Sequence, residues 1–519
     1  MQPIYRSAGR TPLFATLKRV LHLAQIANQK STPPIDELIE IAHTQRWTRR
    51  RFLKTSVVGA AMTFIGSRLP SVAFAGQNKA TAPKIVIVGA GIAGLNAAYT
   101  LKKAGIHAEI YEGSSRTGGR IYTVKDVLAP GLVSHLGGSF INTNHTEMLA
   151  LAKEFNLELR DIWEDNELLD ANYFGAQHYT EKQLADALQP LVARMKLDFD
   201  SLGEIVNFES GATQLDNTSL AEYLEKIGAS GWIRDYLEMI CVTEFGLDAD
   251  QQSCLNLLLT LSTNSEVELF SEHDERYQVK GGAQRITDEL ARRLDGQIHY
   301  YYRLEAIRSK ANGLTLTFQG PSAVDIEADV VIVTIPFSVL RLVDMKMALP
   351  PFKKKAINEL GYGTNSKVLA GFNKRIWREL GYYGDVLTDE SFQCAWDNSA
   401  MQEGQAGGMT FCPGGQAGVN VSRVGLNPLL FDLEKVFPGI TAEYNGSLAF
   451  WHWPSFPLSL GSYSCYKPGQ WTSIAGAQIK PVGNLFFAGE HCSMEFYGFM
   501  NGGAETGKQV AKTLIAAHK

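Results

Sequence analysis

The stretch Lys84–Thr123, KIVIVGAGIAGLNAAYTLKKAGIHAEIYEGSSRTGGRIYT, constrains this chain more than any other. Lys84–Val88 is a short apolar run rich in β-branched residues and predicts a strand. Gly89, Gly91 and Gly94 follow at GxGxxG spacing, with Ala93 in the same turn, and Leu95–Lys103 has helical character. A side chain at Gly91 would keep a pyrophosphate from the backbone. The helix N-terminus beyond it offers free N–H groups and a positive dipole end to an anion. A second strand, His107–Tyr111, then delivers Glu112, 18 residues after Gly94, where a carboxylate can accept hydrogen bonds from a ribose diol. Strand, turn, helix, strand and acid in register predict a dinucleotide-binding βαβ unit.

The residues after Glu112 choose between dinucleotides. Ser115-Arg116-Thr117-Gly118-Gly119-Arg120 resembles the GGR extension of the FAD-dependent amine oxidase family. Gly118 and Gly119 permit a further close backbone approach, and Arg120 can fork onto phosphate oxygens. Near the other end, Phe486–His491 and Gly498–Gly507 are similar to the family's FAGE…GYMEGAxESG signature. The resemblance implies that Gly489 and Glu490 meet the ribityl or phosphate part of FAD. It also implies that Gly498, Phe499 and Met500 pass the isoalloxazine ring, with the Met500 N–H toward the carbonyl O2. A helix from about Gly503 to His518 would aim its positive end at the same edge.

Six further segments extend the resemblance. Leu360–Val368 resembles the family's lysine segment, in which Lys367 would hold a water against flavin N5 and assist reaction with oxygen. Leu458–Gly469 lines up with the monoamine oxidase segment GGCYTTYFPPG, which makes Tyr463 one wall of an aromatic cage and Phe499 the other. Ser462 occupies the position of the cysteine that covalently holds FAD in monoamine oxidases, so noncovalent FAD is expected. Leu136-Gly137-Gly138-Ser139-Phe140 follows the pattern whose glycines pass beneath the flavin, with Ser139 beside them. Venom-type L-amino-acid oxidases carry an arginine at the position of Phe140 to pair the substrate carboxylate. The longer run LGGSFINTNHTEMLALAKEF nevertheless looks closest to bacterial L-amino-acid oxidases and dehydrogenases. Leu304–Ile307 matches the strand whose backbone contacts adenine, Tyr277–Gln284 resembles the family's GG turn, and Asp329–Pro336 matches the buried strand that closes over the dinucleotide.

The expected fold is α/β, with a discontinuous Rossmann-type FAD-binding domain (82–145, 270–344 and 461–519). A mixed α+β substrate domain (146–269 and 345–460) is inserted into it. The expected reaction is oxidative deamination of an L-amino acid, basic ones included, with electrons passing to O2 or a quinone. Primary amine or polyamine oxidation is the alternative, and a noncatalytic flavoprotein a remoter one. His135, His145, His452 and His491 are expected to be structural, because an amine that binds deprotonated needs no side-chain base.

At 519 residues the chain can bury two cores. Its net charge of −5 offers no basic footprint for nucleic acid. Six cysteines lack metal-ligand spacing and read as buried thiols, and no metal is expected. Thr48–Lys54, TRRRFLK, matches the twin-arginine export pattern, and an apolar stretch with Ala73-Phe74-Ala75 as a cleavage site follows. Residues 48–75 thus predict a partner in the twin-arginine machinery and a periplasmic or lumenal address. The extension before it, 1–47, holds a predicted amphipathic helix at Leu13–Gln29 and a second near Ile35–His43, with no chemical role evident.

Overall fold

In the computed structural model, residues 12–29, 32–41, 83–162, 168–202, 210–261 and 274–518 are described. The twin-arginine-like segment 48–75 lies outside them.

The β-branched run IVIV forms a fully buried strand, Ile85–Val88, at the centre of a five-stranded parallel sheet. Its neighbours are Ala108–Tyr111 on one side and Val330–Val333 on the other, with Ile298–His299 and Leu485–Phe487 at the edges. Strands buried on both faces read as continuous apolar runs, which is why these segments show no alternation. The helix after the glycine turn runs Ile92–Lys103, and the C-terminal helix runs Met500–His518. The two pack closely: a Cβ at Gly507 would stand 2.1 Å from the Ala93 carbonyl oxygen, and one at Gly503 would stand 2.8 Å from the Ile92 side chain. The C-terminal helix starts at Met500, three residues earlier than expected.

A four-stranded sheet lies beside this unit, in the order Ala323–Ala328, Gly313–Gln319, Arg303–Lys310 and Asp344–Lys346. Lys367–Phe372 is the second strand of a seven-stranded sheet. In that sheet it pairs with Tyr444–Trp451 and Gly407–Phe411, and the order continues through Cys394–Asp397. Helices cover this sheet. Among them Glu181–Asp200 and Leu220–Lys226 each begin with a full capping box, at Thr180/Gln183 and Ser219/Glu222.

The N-terminal helix Pro12–Ala27 is part of this layer. Leu13, Phe14, Leu17, Val20, Leu21, Leu23 and Ala24 are all at most 2% exposed. Phe14 meets Phe245 edge-on at 5.9 Å, on the helix Trp232–Phe245. Arg19 pairs with Glu181 at 2.5 Å, and the Thr16 hydroxyl donates to Asp170 at 2.6 Å. The extension therefore supplies a structural helix to the substrate side, which its amphipathic pattern alone did not assign. Among the described residues no helix is long and apolar enough to cross a membrane. All six cysteines are buried free thiols.

Candidate active site

One cavity, of about 1790 Å³ with the solvent at its mouth included, runs from the glycine turn to the seven-stranded sheet. Gly89, at φ +103°, makes the turn that only glycine adopts readily. Gly91 faces open space: a methyl group there would meet nothing within 4 Å. The first helical turn after it has no side-chain cap and no acidic residue, so its N–H groups and positive end are left for an anion. Ala93 and Gly119 also line the cavity. This cradle fits a dinucleotide pyrophosphate. Gly94 corrects the expectation, since it does not line the cavity. A Cβ there would lie 2.0 Å from the Gly89 carbonyl oxygen, so its role is helix–turn packing.

Glu112 lines the cavity but is already engaged. Its carboxylate accepts from the Ala90 N–H at 2.7 Å, from the Ser114 N–H at 2.8 Å and from the Ser114 hydroxyl at 2.7 Å. With about four lone-pair sites, it keeps room for one more donor such as a ribose hydroxyl. Leu304, on the four-stranded sheet, lines the same end.

Arg120 and Glu490 bond to each other rather than standing as separate ligand contacts. Arg120 Nη1 donates to Glu490 Oε1 at 2.7 Å and to the Ser462 carbonyl at 3.0 Å. Glu490 Oε2 accepts from the Gly498 N–H at 2.7 Å and the Ser464 hydroxyl at 2.8 Å. Burial alone would raise this carboxyl; Arg120, His491 and Ser464 outweigh it and hold it down at about 2. The pair thus ties three sequence-distant segments into one cavity wall, to which Gly489 and Gly498 also belong.

The glycines Gly137 and Gly138 line the cavity beside Ser139, but their missing side chains serve the protein. A Cβ at Gly137 would meet the Arg120 carbonyl at 2.0 Å, and one at Gly138 would meet the Met500 side chain at 2.9 Å. Close packing against the protein is demanded at both positions.

Lys367 stands at the far end. Its ammonium donates to the Gly137 carbonyl at 2.6 Å and lies 5.1 Å from the Trp396 ring centre. Burial lowers its pKa, against the partial pull of Cys412, Cys394 and Glu275. Tyr463 and Phe499 both line the cavity; the Tyr463 hydroxyl donates to the Thr243 carbonyl at 3.3 Å, and Phe499 meets His145 edge-on at 5.0 Å. Sequence reasoning missed Glu275, Trp396 and Cys412, which share this wall. Trp396 meets Phe140 edge-on at 6.1 Å. Nothing local marks Trp396 or Cys412, which sit on or beside ordinary buried strands. His135, His145 and His491 are fully buried, and burial lowers each to about 3, so all three are neutral. His452 bonds Ser455 and the Val419 carbonyl.

Residues 92–515 match the family of flavin containing amine oxidoreductases. The chain belongs to this family. It is 25% identical over 449 residues to a Bacillus subtilis (strain 168) relative, YobN, named an L-amino-acid oxidase on a provisional basis, covering 82% of this chain and 93% of the relative. It is 24% identical over 450 residues to polyamine oxidase 2 of Arabidopsis thaliana, covering 84% and 88%. Among solved structures, cyclohexylamine oxidase from Brevibacterium oxydans IH-35A superposes with a TM-score of 0.74 at 22% identity, over 84% of this chain and 99% of that one. The fold of this flavin-containing oxidoreductase is therefore that of the amine oxidases, with a Rossmann-type FAD-binding unit.

Proposed function

We propose that this flavoenzyme binds FAD noncovalently and deaminates an L-amino acid oxidatively, giving the 2-oxo acid and ammonia through hydrolysis of an imine. The observation that carries the reading is the single cavity that joins the pyrophosphate cradle at Gly91 to Lys367 and its aromatic surroundings. Bound flavin would supply the acceptor for the two electrons that leave with the substrate Cα–H. The chain's own part is to orient and desolvate. Tyr463, Phe499, Trp396 and Phe140 give the cavity aromatic walls that exclude water and align an uncharged amine. Lys367 brings a cation to the same space and favours negative charge developing there. The buried histidines are neutral and bonded or packed elsewhere, which suits an amine that enters already deprotonated.

Noncovalent attachment is supported by Ser462, whose hydroxyl bonds Asn365 Oδ1 at 2.8 Å, at the position that carries the linking cysteine in monoamine oxidases. Cys465 is wholly buried. Electrons would pass to O2 or to a quinone, and the TRRRFLK pattern supports export to the periplasm through the twin-arginine machinery. Phe140 in place of a carboxylate-pairing arginine favours a second reading, primary amine or polyamine oxidation.

Anaerobic bleaching of the bound flavin decides between them. L-Amino acids are expected to bleach it while their decarboxylated amines do not. Bleaching by amines alone would replace the first reading with the second.

A further inference from the structure

Three side chains stand in a row across the seven-stranded sheet. Phe411 is paired with Ala395 on one neighbouring strand and with Val368 on the other. One position along, the same antiparallel register sets Cys412 between Cys394 and Lys367. The Cys412 N–H donates to the Cys394 carbonyl at 3.1 Å, and the Ser366 N–H donates to the Pro413 carbonyl at 3.2 Å, so the register holds at both ladder ends. Residues directly opposite on antiparallel strands share a face of the sheet. Here that face looks into the cavity. Lys367, Trp396 and Cys412 line it, whereas Ala395 and Phe411, on the alternate face, do not.

The two thiols are placed to be joined. The Cys394 thiol donates to the Cys412 carbonyl at 3.3 Å. A hydrogen-bonded antiparallel pair keeps its Cα atoms about 5.5 Å apart, inside the roughly 4.4–6.8 Å that a disulfide spans. The two differ in access. Cys394 is wholly buried, whereas Cys412 is 5% exposed and is the one of the six cysteines that lines the cavity. They differ in charge as well. A hydrogen bond from Cys394, and then the Lys367 ammonium, lower the Cys412 thiol against its burial. Burial above all, and then the bond to Cys412, push the Cys394 thiol up. A reachable sulfur beside a cation, with a protonated thiol directly opposite, is the arrangement of an attacking and a resolving cysteine.

We propose that Cys394 and Cys412 form a redox site in the cavity wall, which hydrogen peroxide converts to a cross-strand disulfide. The Cys412 thiolate attacks one peroxide oxygen. The O–O bond breaks, a sulfenic acid forms on Cys412, and the hydroxide released takes up the proton that Cys412 gave up. The Cys394 sulfur then attacks the Cys412 sulfur, the S–O bond breaks, and the hydroxyl leaves as water with the Cys394 proton. The two thiols have lost two electrons and two protons, and the peroxide has become two waters. This site goes beyond the amine-oxidation reading. Transfer of electrons to O2 under that reading would release peroxide into the same cavity, and peroxide from any other source serves equally.

The test uses the holoenzyme, reduced and then freed of reductant. It is treated with hydrogen peroxide without substrate, unfolded in N-ethylmaleimide, digested and mapped by mass spectrometry. The peptides carrying Cys394 and Cys412 are expected to appear joined, two hydrogens lighter than the reduced pair. Cys241, Cys254, Cys465 and Cys492 are expected to carry the label. In Cys394→Ser the sulfenic acid has no resolving thiol, and dimedone is expected to trap it on Cys412. In Cys412→Ser the Cys394 thiol is expected to stay reduced. Full labelling of both cysteines in the treated wild type overturns the inference without any variant, as does a bridge confined to other cysteines. So does dimedone capture on Cys394 in Cys412→Ser with none on Cys412 in Cys394→Ser. These outcomes are read without turnover, so failure of every amine and amino acid to reduce the flavin would overturn the function proposed above and not this site.

Discussion

Replacing Arg120 with methionine keeps the aliphatic stem and removes the cation that Glu490 bonds at 2.7 Å. In the folded protein Glu490 is held at about 2, against an ordinary 4.5. That difference of about 2.5 units corresponds to about 3 kcal/mol of stability, at 1.36 kcal/mol per unit. The folded value is the lower one, so the contribution is complete above pH ~4.5 and is lost as pH falls toward ~2. Arg120 is the foremost of the groups that hold Glu490 down, so at pH 7 the variant is expected to be less stable than wild type by up to about 3 kcal/mol, the scale of leaving a buried carboxylate without its cation. At pH 3, about one unit above the folded value, the gap should shrink to about 1.4 kcal/mol. The assay is urea unfolding of the flavin-stripped protein at the two pH values, which removes any contribution from phosphate contacts. A gap at pH 3 equal to that at pH 7 would refute the reasoning. So would a gap below about 1 kcal/mol at pH 7, which would mean that Arg120 does not hold the charge on Glu490.

Other outcomes follow from the same geometry. Gly91→Ala is expected to leave the melting temperature of the flavin-free protein within a degree or two, since its φ of −74° suits alanine and its methyl meets nothing; it should instead weaken flavin retention on dialysis by about 5-fold or more. Gly94→Ala should do the reverse in kind and destabilise the flavin-free protein by at least about 1–3 kcal/mol, because its methyl would sit 2.0 Å from a carbonyl oxygen. Comparable melting temperatures for the two variants would contradict this division. Lys367→Met is expected to retain bound flavin, seen in its absorbance spectrum, while steady-state turnover falls on the order of 10-fold or more; normal turnover would remove the lysine from the mechanism. Phe14→Ala is expected to cost about 3–5 kcal/mol in chemical denaturation, as for a wholly buried phenylalanine. A loss under about 1 kcal/mol would show that the N-terminal helix is not docked in solution.

The nucleotide-binding half was legible because its information is local. A glycine that must turn at φ +103°, an apolar four-residue strand and a helix with an uncapped first turn are each written within a few residues. The same residues would mean the same thing in any chain. Even there, contact chemistry was decided at a distance. Arg120 and Glu490 lie 370 residues apart and neutralise each other, and Gly137 and Gly138 make room for the Arg120 backbone and for Met500.

The substrate side shows the opposite balance. Phe140, Glu275, Lys367, Trp396 and Tyr463 come from five segments and line one cavity. Of these, Glu275 is one charge in the run Asp274-Glu275-Arg276. Only the pairing of Asp274 with Thr143 and of Arg276 with Asp161 turns it inward. The N-terminal helix makes the same point. Its amphipathic pattern predicted a buried face, but a helix carries no record of its partner, and packing against Phe245 and Glu181 is what made it part of the enzyme. Sequence by itself determined the cofactor class and the chemistry, because backbone geometry and charge at a phosphate site are set by neighbours along the chain. Tertiary structure alone decided which charges meet in the cavity, because desolvation and pairing depend on every segment that folds around them.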